Sequence, residues 1–473
     1  MARQTLAPTP PTLSLAEASR FWFQLGWVSF GGPAGQIALL HRELVDRRRW
    51  LSERRYLHAL NYCMLLPGPE AMQLATYLGW LMHGVPGGLI AGGLFVLPSV
   101  FVLTALASAY ALWGQLPLLA SVFAVLKPAV LAIVLMAAWR IGRRTLRTPL
   151  QLALAIAGFL ALALLALPYP LVVIAAGLIG LAAARWRPGL LGHGATAAGR
   201  HRPLHAPSPA ASEAPSRDAA PSRHQAPDPA PALHADDSPT PEHARFSRRR
   251  LAVTLLLWAL ALLLPLGVLV LAGGWNGSLA LMARFFTRVA LLSFGGAYAV
   301  LPYVAQGAVE QFGWLSATQM LDGLALGETT PGPLIMVVAF VGFMGGWNQS
   351  LAAAASPWPL ALAAVAVSVW FTFLPSFGFI LAGAPLVEAS RGDLRFGAPL
   401  SAITAVVVGV IASLALFFAG PVLWPGGVFN AWVALVVAAA LVLQLRFGWS
   451  VLQVIGAAAG LGLLLGGFTL LSR

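Results

Sequence analysis

The chain has 473 residues, 59% hydrophobic and only 10% charged, with a formal net charge of +13. A mean hydropathy of +0.79, with apolar runs of roughly 18 or more residues along most of the length, excludes a soluble domain and indicates an all-α polytopic membrane protein. The basic excess marks cytoplasmic loops by the positive-inside rule, so nucleic acid is not expected as a partner and the lipid bilayer is.

Taken in order, Met1 to Leu13 reads as a short flexible tail, and the first twenty residues lack the charged-then-apolar order of a secretory signal, so the first apolar segment should stay in the mature protein. Leu15 to Leu40 is apolar but broken at Ser29-Phe30-Gly31-Gly32-Pro33, and Tyr56 to Met82 is broken at Pro67-Gly68-Pro69. Between them, His41 to Arg55 is strongly basic. Apolar segments follow near 86–110, 117–139, 149–167 and 169–184, with four Arg in the loop 140–147. From 186 to 250 the composition turns to Pro, Ala, His, Ser and Arg, which cannot bury enough apolar surface to offset ordering entropy; a disordered cytoplasmic linker is predicted. Six of the nine His lie there at irregular spacing, and Cys63 is the lone cysteine, so no metal site and no cofactor is expected.

Leu251 to Ala272 is an extra apolar segment without a counterpart in residues 1–185. Beyond it the chain repeats itself. Residues 20–69 and 284–333 align without gaps at a shift of 264, with fifteen identities in fifty positions, including SFGG, WLS and PGP. Leu97-Pro98-Ser99 recurs as Leu374-Pro375-Ser376 after a thirteen-residue insertion. Residues 1–185 thus form a first repeat, and 251–473 the extra helix plus a second.

Equivalent loops differ sharply in charge. The basic loop 41–55 corresponds to 305–319, which has no Lys or Arg, and 140–147 corresponds to an uncharged region around 414–421. Such loops belong on opposite sides of the membrane, so the repeats are inverted, and the unpaired segment supplies the odd crossing. If each broken segment crossed once, 41–55 and 140–147 would not both lie inside. Re-entrant hairpins turning at SFGGP and PGP remove the conflict and give thirteen apolar segments, four of them broken. Re-entrant backbone is tolerated at membrane depth only where it is buried in protein or lines a wet cavity.

Paired breaks in two halves point to a transporter's binding site. A helix starting after a Gly-Gly or Pro-Gly-Pro turn offers unpaired N–H groups and the positive end of its dipole to an anion. The candidate anion site is therefore Ser29, Gly31, Gly32, Pro67, Gly68 and Pro69 with Ser293, Gly295, Gly296, Pro331, Gly332 and Pro333. The same residues also suit close helix packing and kinking alone. Lys127, the only lysine, lies within 117–139 and either neutralises a bound dianion or snorkels to the interface. Glu70 and Glu328 flank the two PGP turns as candidate proton-coupling carboxylates, or as helix-terminal acids. Arg20 and Arg284, at equivalent positions, guide anions or anchor at the interface. His58, His83 and Asp322 are expected at segment ends.

The SFGGP, WLS and LLPGPEAMQLATYLGW stretches, followed by FVLPS, and the second SFGG, WLS and ETTPGP resemble the chromate ion transporter family in its long, two-domain bacterial form. That resemblance covers roughly 15–145 and 280–415. It implies an inner-membrane protein that exports chromate and confers chromate resistance, driven by the proton-motive force, with sulfate as a competitor. In the second half Ala297 replaces the Pro after SFGG, so the two sites need not be equivalent. The residues by themselves support only a small-anion transporter. An inward sulfate or other oxyanion transporter, an anion channel and a polytopic membrane enzyme remain as alternatives, and the homodimer stays open. An enzyme would call for clustered His, Asp or Glu at a membrane face, beyond the charged loops, and the chain offers none.

Overall fold

The computed structural model describes residues 13–186, 241–390 and 397–471, and among these every regular element is helical. Most of the predicted linker lies outside the described residues. The first half runs α1 (Leu15–Val28), α2 (Gly32–His41), α3 (Glu53–Cys63), α4 (Glu70–Trp113), α5 (Pro117–Thr145), α6 (Pro149–Ala163) and α7 (Tyr169–Trp186). The extra helix is α8 (Arg248–Gly273). The second half runs α9 (Ser278–Leu292), α10 (Ala297–Ala305), α11 (Ala317–Thr329), α12 (Val337–Ala352), α13 (Pro357–Ser390), α14 (Gly397–Leu423), α15 (Ala431–Arg446) and α16 (Val451–Leu471).

The duplication extends to local geometry. Ser52 and Ser316, one shift of 264 apart, cap α3 and α11 by accepting from the N–H groups of Arg55 and Gln319. A single wide π-helical turn ends α2 at Arg42–Arg47 and α10 at Gln306–Gln311. Each is followed by a left-handed residue, Arg49 at φ 52° and its mate Gly313 at φ 59°.

The broken segments double back. A continuous helix would hold Phe21 and Trp50 about 40 Å apart at 1.5 Å per residue. Their rings instead lie 4.9 Å apart, edge to face, and the mates Phe285 and Trp314 repeat the contact at 5.4 Å. Across the PGP turns, Tyr62 of α3 meets Tyr77 of α4 at 6.0 Å. Asn348 of α12 donates to Gln319 Oε1 of α11 at 3.2 Å. Arms such as α1 (14 residues), α2 (10) and α3 (11) are well short of the ~20 residues a crossing needs. Four helical hairpins result. The first arm of α4 ends where helical geometry fails at His83 and Gly84, and a second, long arm continues to Trp113. By length and composition α12, with the short turn before it, also qualifies as a span. Its hydrogen bonds back to Trp314 and Gln319 make it a hairpin arm.

Outside the hairpins, the long arm of α4 with α5, α6 and α7 has its counterpart in α13, α14, α15 and α16. Four helices, of which α6 at 15 residues is shorter than a full span, return the chain to the face from which they started, and α8 then carries it across once. The second repeat therefore begins on the opposite face, as the loop charges required. Residues 118–122 of α5 pack antiparallel on 462–466 of α16. Helix α8 buries none of its residues and holds to α13 by two indole N–H bonds, Trp258 to Leu374 O and Trp370 to Ala261 O. A helix so exposed and apolar, with Leu256, Leu257 and Leu264 all about 60% exposed, belongs against lipid.

Candidate functional site

The hairpin tips meet across the two halves in a reciprocal exchange. Gly68 N–H donates to Ser293 O at 2.8 Å, and its mate Gly332 N–H donates to Ser29 O at 2.7 Å. Each repeat's PGP turn is thus clasped to the other repeat's SFGG tip, the relation a two-fold axis imposes on a self-complementary joint. The LPS serines follow the same rule: Ser99 Oγ donates to Pro331 O, while Ser376 Oγ accepts from Gln73 Nε2 at 3.3 Å beside Gly68. Gly68 (φ 131°) and Gly332 (φ 97°) hold backbone conformations that L side chains rarely adopt. A Cβ on either would also run into Ser376 Oγ or Ser99 Oγ, so glycine is required twice over.

These two amides belong to the joint between halves and are not free for an anion. The exchange has a second effect. A hairpin tip brings together one helix C-terminus and one N-terminus, whose partial charges oppose each other. Here the carbonyls of Ser29 and Ser293 are already satisfied, Ser29 O also by Gln36 Nε2 at 3.2 Å. The starts of α2 and α10 keep the orphan amides that every helix N-terminus carries. Gly31 (φ 92°), Gly32 (φ 69°), Gly295 (φ 81°) and Gly296 (φ 93°) supply the sharp left-handed entry to those helices. Ser29 and Ser293 are completely buried, and neither hydroxyl has a hydrogen-bond partner among the described residues. Buried polar groups are nearly always paired, so two idle hydroxyls at equivalent tips call for a ligand or water.

The acids are placed asymmetrically. Glu70, which opens α4 in the first half, has a carboxylate oxygen 3.9 Å from where a Cβ of Gly296 would stand. Glu328 accepts from the Tyr298 hydroxyl at 2.6 Å, and Tyr298 is the second residue of α10. Both carboxyl groups therefore converge on the second-half tip. The equivalents of Glu328 and Tyr298 in the first half are Met64 and Ala34, so that tip has no such pair.

Lys127 does not stand free. Its Nζ lies 3.4 Å from Asp322 Oδ2, which also accepts from Tyr110 at 2.9 Å. This pair joins α5 to α11 and so bridges the halves. Asp322 was expected at a segment end; it sits inside α11 with its side chain only 3% exposed. His58 likewise falls mid-helix in α3, whereas His83 marks the break in α4 and bonds to Leu13 O at 2.9 Å. Arg284 donates to Trp275 O at 2.7 Å and stacks on its ring at 4.2 Å, an anchoring contact remote from the tips. Arg20 is exposed on α1.

Ser99, Ser376, Gln36, Gln73 and Tyr298 emerge only from the structure. The first two carried a signal, since their LPS motif recurs; the others have no counterpart in the opposite half and nothing in the chain marked them. Among the described residues no three His, Cys, Asp or Glu side chains gather as a metal ion requires.

Paired inverted repeats with broken hairpins clasped at a buried polar centre define a multi-pass membrane protein of the transporter type. Comparison with known proteins gives the family. The chromate transporter family model matches twice, over residues 16–181 and 280–463, and the chain belongs to that family. It is 30% identical over 413 residues to the chromate transport protein of Pseudomonas aeruginosa, covering 86% of this chain and 82% of that one. It is 28% identical over 417 residues to the chromate transport protein of Cupriavidus metallidurans (87% and 84% covered). A probable chromate transport protein of Synechococcus elongatus is 26% identical over 404 residues (85% and 84%). No solved structure matches the chain.

Proposed function

We propose that this protein carries chromate, a tetrahedral dianion, out of the cytoplasm across the bacterial inner membrane and so confers resistance to it. The observation that carries the reading is the pair of buried, unpartnered hydroxyls of Ser29 and Ser293 at glycine-shaped helix starts. An oxyanion offers acceptors on every side, and helix N-termini with hydroxyl donors satisfy it without a buried arginine. Family membership supplies the cargo.

The driving force follows from charge. Moving a dianion out of a negative interior gains about 5 kcal/mol per 100 mV, so the electrical part of the proton-motive force drives export directly. Glu70 and Glu328 then set how much anion the second tip accepts. Two carboxylates and a dianion cannot all stay charged in one low-dielectric site, so protonation favours anion binding and ionisation opposes it. Sulfate, of the same shape and charge, should compete. The membrane, by the loop charges, has the N-terminus, 41–55, 140–147 and the linker on its cytoplasmic side.

Everted membrane vesicles test this reading. Chromate should accumulate in them, faster when the lumen is made electrically positive, and sulfate should inhibit. Vesicles that accumulate sulfate but ignore chromate would hand the function to a general oxyanion carrier. Flux down a chemical gradient that is untouched when the proton gradient is collapsed would mark a channel.

A further inference from the structure

A cavity of about 430 Å³ opens between the ends of α5 and α15. Arg140, Arg143 and Arg144 line it together, because positions i, i+3 and i+4 share one face of a helix. None of the three is ion-paired among the described residues. Gln444 closes the wall, 4% exposed, with its Oε1 unpartnered and its Nε2 in a long 3.3 Å bond to Ala440 O. Turning that amide over would put two N–H donors where the idle oxygen now sits.

The two-fold relation gives this cavity a mate. A second, smaller cavity of about 190 Å³ lies between α14, α6 and α10. At the shift of 277 set by the LPS motifs, Ser413, Leu416 and Phe417 in its wall are the equivalents of Met136, Trp139 and Arg140. Its Leu162 falls at the same helical position as Gln444, counted from the starts of α6 and α15. The α5 and α15 walls of the first cavity thus recur as the α14 and α6 walls of the second, while the α10 wall that carries Glu310 has no counterpart lining the arginine cavity. One cavity holds three arginines, and the other holds Glu310 and no cation.

We propose that the Arg140–Arg143–Arg144 cavity is the loading site for the transported dianion at the cytoplasmic face, and that its uncharged-to-acidic mate is the release exit. The inference rests on the oxyanion-transport reading and adds to it where the anion first binds and why it leaves. A positive cleft with low-dielectric walls concentrates a dianion before it reaches the serines. A mate without cations gives it no reason to linger after the tips hand it over.

The test is chromate uptake by everted vesicles, whose outer surface is the cytoplasmic face. The protein compared is the full chain with Arg140, Arg143 and Arg144 all changed to Gln, then all to Lys. The glutamine variant should raise KM for chromate about tenfold, flatten its dependence on ionic strength, and lower the maximal rate by less than KM rises. The lysine variant, which keeps the charge, should stay near wild type, showing that loss of folding is not the cause. An unmoved KM and salt dependence in the glutamine variant, with wild-type uptake intact, removes the loading site alone. So does a defect that follows the anionic phospholipid content of reconstituted vesicles and not chromate concentration, which would make the cavity a lipid headgroup site. No chromate uptake by wild-type vesicles removes the transport reading, and the loading site with it.

Discussion

The two SFGG tips have the same sequence, the same left-handed glycines and the same clasp to the opposite PGP turn, yet their surroundings differ. At the first tip Val28 is 58% and Phe30 38% exposed, a Cβ on Gly32 would meet open space, and Gln36 ties back the Ser29 carbonyl. At the second tip Gly296 is buried beside Glu70, and Tyr298 and Glu328 sit just behind it. The duplication thus gives two equal backbone frames, and only the second has titratable groups beside it. A symmetric frame lets the molecule open to either side at similar cost. Asymmetric charge on that frame makes the two tips chemically distinct.

The comparison breaks most visibly at the glycines. Gly296→Leu should abolish chromate uptake in everted vesicles while the protein still inserts, because the side chain meets Glu70 and blocks the start of α10. Gly32→Leu carries the left-handed strain, about 1–2 kcal/mol, but projects into open space, so its loss should be smaller. Equal and complete loss in both would mean that the two tips act as one site.

The bridge between halves is the next largest effect. Lys127 has the uncharged Thr404 as its counterpart at the shift of 277, so the Lys127–Asp322 pair has no mate elsewhere. Lys127→Met leaves a buried carboxylate unpaired and should cost about 3–5 kcal/mol, read as a fall in thermal stability in detergent. Adding Asp322→Asn should recover most of it. A variant that keeps its stability but loses transport would return Lys127 to a role in binding the dianion.

Ser29→Ala and Ser293→Ala sharpen the comparison further. Each removes a hydroxyl that has no protein partner among the described residues, so stability should hold. One hydrogen bond to a charged ligand is worth about 1.5–3 kcal/mol, so KM should rise roughly tenfold or more in either variant. An unchanged KM in Ser29→Ala alone would place the anion at the second tip only. The smallest effect is expected from Glu328→Gln. An ionised carboxyl repels the dianion and weakens binding; the amide variant, which cannot ionise, should hold its affinity several-fold better as pH rises. A pH profile identical to wild type would remove Glu328 from coupling.

Much of this architecture was legible because its signals are local. Apolar length marked the helices, and the fixed shift of 264 marked the repeat, down to the serines that cap α3 and α11. Loop charge gave the inversion, and the need to keep two basic loops on one face gave the hairpins. The partners of Lys127 and Gly68 were not legible. Each lies about 200 residues or more away, and no pattern in the chain records which surfaces meet. Asp322 was misjudged for the same reason: helix α11 reads as moderately polar by itself, and only its packing against α5 buries the acid.

What the sequence determined by itself is the set of breaks: where the helices fail, that the failures are paired, and that they belong to oppositely oriented halves. Glycine, proline and arginine act there through backbone conformation and membrane charge, which are properties of a single segment. What only the tertiary structure decided is how those breaks are used. It joined the PGP turns to the SFGG tips of the opposite half, left two hydroxyls unpaired and brought both carboxyls to one tip. Hydrogen bonds and ion pairs are set by distance in space, and the chain folds those distances only once.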